Sequence, residues 1–184
     1  LMLRALGLLV PFVTADVCPD SIDRAATSFA RDGFAVLPNF ASATEVAAMQ
    51  AAMEEMVEAW WLEEQAAPSS AVFTTGANQS NAQAKSRYFF ESADRVHFFR
   101  EAEEEEEAAA GRPPLNKVGH GLHLDPATPF GAYARSAGVA DVARRVARLR
   151  APTLPQSMYI FKEARMGGAV TSHQDATFLY TRPQ

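Results

Sequence analysis

Ser42-Ala43-Thr44-Glu45 opens the longest periodic segment of the chain, and that segment limits the fold more than any other feature. A Ser at the N-cap with a Glu at the third helical position is a capping box, in which each residue satisfies a backbone N–H that the first turn leaves open. Behind it Val46, Met49, Met53, Met56 or Val57, and Trp60 recur at three- and four-residue spacing, so one side of the helix is an apolar stripe. Glu54, Glu55, Glu58, Glu63 and Glu64 take the other faces. Such a stripe has to be covered by another layer, and packing against a sheet is a better use of it than a ligand groove.

The remaining elements supply that sheet late in the chain. Asp20 or Ser21 caps a short helix through Ala30, with Ile22, Ala25, Ala26 and Phe29 on one face, and Asp32-Gly33 stops it. Phe34 to Leu37 reads as a compact strand closed by Pro38-Asn39. Pro68-Ser69-Ser70 ends the long helix, and the polar stretch on to Ala84 is a loop or lid. Tyr88 to Phe90 and Val96 to Phe99 read as two aromatic strands of a hairpin around Ser92-Ala93-Asp94, with His97 a core or edge residue. Glu103 to Glu107 is a solvated surface insertion without the Asp/Gly spacing of a calcium loop. Val139 to Leu149 forms a basic amphipathic helix that packs through Val139, Val142, Val146 and Leu149. Gln156 to Lys162 alternates as a half-buried strand, and Met166-Gly167-Gly168 turns the chain into a last strand from Ala169. Helices first and strands last argue for the α+β class with a sheet that is only partly present.

Charge and cysteine content remove several functions. The chain of 184 residues carries a formal net charge of -5 and has no extended basic tract, so a nucleic-acid groove has nothing to draw on. Its single cysteine, Cys18, excludes an internal disulfide and a thiolate zinc site. Leu1 to Val10 is apolar, and Val13-Thr14-Ala15 before Asp16 resembles a cleavage site; the run is too short to span a membrane. Residues 1–19 are therefore expected to be a leader or signal segment, and 20–184 the N-terminal part of one domain. A cytoplasmic location is expected, with targeting or secretion through residues 1–15 as the alternative.

The chemistry concentrates near the end. In Thr171-Ser172-His173-Gln174-Asp175-Ala176-Thr177-Phe178-Leu179-Tyr180, an imidazole and a carboxylate stand two residues apart in a run that reads as extended, so both side chains leave one face. That pair is two of the three protein ligands in the 2-His-1-carboxylate triad of non-haem Fe(II) oxygenases, which leaves coordination positions open for co-substrate and O2. A second copy, His123-Leu124-Asp125, is followed by Pro126 and reads as a helix start, with Asp at the N-cap and Pro at N1. Lys117 lies in a short apolar segment, where an ammonium can anchor an acidic small molecule, although composition alone places it at the surface.

Taken together, Asp32-Gly33-Phe34-Ala35-Val36-Leu37-Pro38-Asn39-Phe40, Asn116-Lys117-Val118-Gly119-His120, Gln156 to Lys162, and Gly167-Gly168 leading to His173 through Tyr180 form ordered blocks. They resemble the phytanoyl-CoA dioxygenase family, and within it most closely the subgroup of phytanoyl-CoA dioxygenase domain-containing proteins. The resemblance implies N-terminal helices packed on an incomplete double-stranded β-helix of the jelly-roll kind, whose C-terminal strands are missing. It implies Fe(II) and 2-oxoglutarate as cofactors, with His173 and Asp175 as metal ligands and Lys117, Met158, His173, Gln174 and Asp175 in contact with the cofactors. The activity implied is hydroxylation of an unidentified small organic substrate with O2, coupled to oxidative decarboxylation of 2-oxoglutarate. The family's second His ligand and an Arg for the far carboxylate belong downstream of Gln184, so this polypeptide alone is expected to bind iron weakly and to turn nothing over. His120 or His123 could be recruited in place of the distant His. The second reading is a non-catalytic module that keeps the first half of the fold and binds a carboxylate or a partner through Lys117. A zinc hydrolase built on His173, Asp175 and His120 finds no supporting spacing.

Overall fold

A computed structural model describes residues 19–73, 86–101, 111–162, 167, 170 and 172–175. The leader, most of the lid, the Glu103–Glu107 run and the residues that follow Asp175 lie outside the described residues. The chain divides into two compact units, 1–59 with 122–155 and 60–121 with 156–184.

The first unit is helical. Helix α1 (Pro19–Asp32) ends at Gly33, whose φ of 79° lets its N–H turn back to the Phe29 carbonyl at 2.9 Å. Ile22 and Ala25 are buried against Val146, and Ala26, Ala35, Leu37 and Val142 pack around them. The residues from Phe34 to Leu37 keep the in-out alternation of a strand, since Ala35 and Leu37 pack inward while Phe34 and Val36 are exposed. They nevertheless pair with no other strand among the described residues, which corrects the expected strand: an apolar alternation fixes which side faces the core and says nothing about a ladder partner.

Helix α2 (Ala43–Ala66) begins as its capping box requires. The Glu45 N–H donates to Ser42 Oγ at 3.2 Å, and the Ser42 N–H donates to Glu45 Oε2 at 2.8 Å. Met53 and Val57 are buried, whereas Val46 at the head of the stripe is exposed.

After Asp125 the helix start comes later than the Asp-Pro signal suggested. Asp125 Oδ1 accepts the Ala127 N–H at 2.8 Å and makes a turn; Thr128 is the N-cap and Pro129 the first residue of α3 (Pro129–Ala134). Gly131 sits so close to this turn that an added Cβ would lie 1.9 Å from the Asp125 carbonyl oxygen. Gly131→Ala is expected to destabilise the protein by about 3 kcal/mol, because backbone cannot move aside as a side-chain tip can; an unchanged denaturation midpoint would refute this. Arg135 closes the turn from the other side, donating to the carbonyls of His123, Gly131 and Leu124. Helix α4 (Ala137–Asp141) runs into a wider π-type turn, Val142–Val146, in which Val146 is buried and Arg145 pairs with Asp23 at 2.7 Å. Leu149, expected in that core, is exposed, because the helical turn has ended by Ala147.

The second unit holds a four-stranded sheet in the order β1-β2-β3-β4. Strand β1 (Ala71–Phe73) runs parallel to β2 (Val96–Glu101), and β3 (Leu115–His120) and β4 (Ser157–Ile160) continue antiparallel. Every residue of β3 is buried. Trp60 stacks on Phe98 of β2, with ring centres 5.1 Å apart and planes 9° apart.

The expected hairpin is half helix. Residues Arg87–Glu91 form a short helix capped by Ser86, whose side chain accepts the Phe89 N–H. That cap overrides the β propensity of three consecutive aromatics. Tyr88 then reaches β2, where its hydroxyl donates to the Phe98 carbonyl at 2.9 Å and accepts the Phe98 N–H at 3.2 Å.

Glu64 also departs from its expected solvent face. It is buried, and its carboxylate accepts N–H groups of Ser69 and Ser70 and the Ser70 hydroxyl, which holds the chain where it enters β1. Burial works to raise its pKa, but the hydrogen bonds from Ser70 and Ser69 outweigh it and hold the carboxyl below its ordinary value. A lowered carboxyl pKa adds stability above the unfolded value that is lost as pH falls through the folded one. Glu64→Gln should therefore cost about 2 kcal/mol at pH 7, with the gap to wild type narrowing below about pH 4. Urea midpoints of both proteins across this range check the sign; a pH-independent gap would contradict it.

Candidate functional site

Lys117 comes from the middle of β3, where it pairs with the buried Phe99 of β2 on one side and with Ile160 of β4 on the other. It is 7% exposed. Its Nζ lies 3.6 Å from the ring centre of Phe73 on β1, 5.3 Å from Phe99 on β2 and 5.7 Å from Phe89 on the short helix. These π faces attract a cation, but they do not replace the counter-charge that a buried ammonium needs. Among the described residues no carboxylate is paired with it. Burial alone lowers its pKa from 10.5 to about 8.

His120 lies three residues further along the same strand and is also buried. Its ring centre stands 5.4 Å from Phe89 and 5.6 Å from Phe99, and its Nδ1 is 2.7 Å from Ser92 Oγ. Burial, with the nearby charges of Lys117 and His97, lowers its pKa from 6.5 to about 4, so the ring is neutral at physiological pH. The register pairs Lys117 with Ile160 and Gly119 with Met158, which sets Met158 and Ile160 on the Lys117 side of the sheet. Gly119 permits that approach: a Cβ there would stand 2.9 Å from the Met158 Cβ.

His173 and Asp175 meet. His173 Nε2 is 3.3 Å from Asp175 Oδ1, with both side chains exposed and Gln174 exposed between them. The described residues 170 and 172–175 belong to no strand, so the two side chains lean together without the ladder expected to deliver them. The separation suits a metal. Two donors in neighbouring positions around one ion, each bonded at ~2.1 Å, stand ~3 Å apart. An exposed His–Asp pair is also weak in water, so little is lost when its atoms turn to an ion. Among the described residues no three His, Cys, Asp or Glu side chains gather as a metal site, and His120 is engaged with Ser92 rather than with this pair. Also among the described residues, no helix is long and apolar enough to cross a membrane.

Strand β3 thus carries a buried ammonium among three aromatic rings, and a His–Asp pair follows it in sequence. Residues 29–184 match the family model described as phytanoyl-CoA dioxygenase (PhyH). The chain belongs to the phytanoyl-CoA dioxygenase family. It is 39% identical to the Bos taurus protein "Phytanoyl-CoA dioxygenase domain-containing protein 1" over 160 aligned residues, 84% of this chain and 53% of that one. It is 38% identical to "Phytanoyl-CoA dioxygenase 1" of Oryza sativa subsp. japonica, covering 84% and 53%. To "Phytanoyl-CoA dioxygenase" of Arabidopsis thaliana it is 34% identical, covering 94% and 57%. The chain thus spans about half the length of the relatives it matches.

Composition alone placed Lys117 at the surface; its short apolar segment and the family blocks offered it as a carboxylate anchor. Sequence reasoning missed Phe73, Phe89 and Phe99 as a box, and it missed Ser92 altogether. The available signal was the recurrence of aromatic residues on the elements that flank Leu115–His120.

Proposed function

We propose that the chain carries the co-substrate and metal-binding part of an Fe(II)- and 2-oxoglutarate-dependent dioxygenase that hydroxylates a small organic substrate. One observation carries this reading: the Lys117 ammonium is buried among three aromatic rings with no carboxylate paired to it among the described residues. A cation in that position is stabilised by an incoming carboxylate, and the aromatic walls keep water from weakening the pair. Met158 lies on the same sheet face and would form an apolar wall along the carbon chain of the co-substrate. His173 and Asp175 would hold the metal, and Gln174 between them would contact the co-substrate. Fe(II), when bound, would supply the O2 chemistry that couples decarboxylation of 2-oxoglutarate to substrate oxidation. The protein's own residues bind and orient the acid and exclude water around it. In this reading the four-stranded sheet is part of a double-stranded β-helix.

The experiment compares 2-oxoglutarate with glutarate, which lacks the keto oxygen, by calorimetry in the absence and presence of Mn(II). Both acids should bind alike through Lys117 without metal, and Mn(II) should tighten only 2-oxoglutarate, by about tenfold or more. Equal affinities for the two acids with Mn(II) present would remove the metal half of the reading. No binding of either acid would remove all of it.

A further inference from the structure

Ser92 is wholly buried, and it lies at the end of the short helix that carries Phe89. Its Oγ is 2.6 Å from the Phe89 carbonyl and 2.7 Å from His120 Nδ1. A carbonyl oxygen can only accept, so the single Ser92 hydroxyl proton goes to Phe89. The Ser92 oxygen must then accept from His120, which places the imidazole proton on Nδ1 and leaves Nε2 unprotonated. The backbone of His120 is fixed independently, because the N–H groups of His120 and Gly121 both donate to the Arg95 carbonyl, at 3.2 and 2.9 Å. The chain of hydrogen bonds therefore runs from an anchored strand, through an imidazole and a hydroxyl, to the backbone of one wall of the Lys117 box.

We infer that Ser92 and His120 are a positioning pair for the carboxylate site: they touch no ligand, and they pin Phe89 over the Lys117 ammonium so that the pocket stays dry and pre-shaped for an acid. The inference rests on the proposed role of Lys117 as the carboxylate anchor, but its mechanical part is separable from that role. A pinned Phe89 ring 5.7 Å from Nζ keeps water away from the ammonium; a loose ring admits it. The groups whose charge acts on His120 are Lys117 and His97: the Lys117 ammonium has no lone pair to accept the Nδ1 proton, and His97 turns its own Nδ1 to the Tyr88 carbonyl at 3.0 Å.

The test follows Lys117 by NMR of protein labelled at lysine Cε, its signal assigned by its loss in Lys117→Met. Ser92→Ala and His120→Phe should move the Lys117 titration midpoint upward by ~1 pH unit, whereas Ser92→Thr, which keeps the hydroxyl, should stay within ~0.2 unit of wild type. Binding of 2-oxoglutarate should weaken about fivefold in the first two variants and recover in the third. A merely structural role would lower the melting temperature without moving the midpoint. In wild type, imidazole ¹⁵N shifts should report His120 protonated at Nδ1, a readout that does not depend on any variant folding. A folded Ser92→Ala with an unmoved midpoint, or a wild-type His120 protonated at Nε2, would overturn the inference. Shifted midpoints in a protein that binds no 2-oxoglutarate would uphold the pinning and remove only the carboxylate role.

Discussion

Replacing Lys117 with Met is expected to make the protein more stable while nearly abolishing its affinity for 2-oxoglutarate. Both effects have one cause, a charge held out of water with no carboxylate paired to it among the described residues. The Lys117 pKa falls from 10.5 to about 8; at ~1.36 kcal/mol per unit, the folded state at pH 7 carries a penalty of about 3 kcal/mol. The aromatic rings return part of it, so about 2 kcal/mol is the expected gain. Met fills much the same volume with no charge to desolvate. The pH dependence carries the sign. Because the folded pKa lies below the unfolded one, the penalty is fully present below about pH 8 and is relieved as pH rises toward 10.5, where the unfolded chain still holds the proton. Wild-type stability should therefore climb relative to Lys117→Met over that window. Affinity for the acid should drop about 100-fold, the usual consequence of removing one partner of a buried ion pair. Denaturant unfolding across pH and calorimetry of 2-oxoglutarate check the two halves separately. A variant that is less stable than wild type and binds equally well would contradict both.

His173→Ala is expected to remove the effect of metal and to leave the metal-free affinity unchanged. His173 is exposed and its partner Asp175 more so, so the substitution disturbs no core and should leave the melting temperature within ~1 °C. Loss of groups that merely orient metal ligands costs 10–100-fold, so loss of a ligand itself should weaken Mn(II) by more than ~100-fold. The ability of Mn(II) to favour 2-oxoglutarate over glutarate should vanish with it. Retention of that preference in His173→Ala would place the metal elsewhere.

How far the sequence anticipates these sites follows from what kind of signal each residue leaves. The capping box at Ser42 and Glu45 is a local exchange of hydrogen bonds, so it reads directly from spacing and reappears in the coordinates. The stop at Asp32-Gly33 is equally local. Pairing partners are not local: Phe34 to Leu37 alternates as a strand would, yet its inward residues pack on α1 without a ladder. Local chemistry can also mislead when two signals compete, as with the Ser86 cap against three aromatic residues, or the Thr128–Pro129 start against Asp125–Pro126. Glu64 was assigned to solvent by helical periodicity, and it is buried because the chain after the helix returns to hydrogen-bond with it. Lys117 is the extreme case. Nothing within a few residues of it tells that Phe73, Phe89 and Phe99 converge from separate elements. Its short apolar segment offered it as a carboxylate anchor, composition placed it at the surface, and its place in an ordered set of family blocks favoured the anchor; the burial and the rings appear only with the tertiary structure.

The most direct measurement is the titration of the Lys117 Cε signal in wild-type protein, with and without saturating 2-oxoglutarate. The account predicts a midpoint near 8 for the free protein and a rise of at least ~1 unit when the acid is bound, since a carboxylate beside the ammonium stabilises its charged form. A midpoint at the ordinary lysine value, unmoved by 2-oxoglutarate, would mean that this ammonium is neither buried nor the anchor of the site.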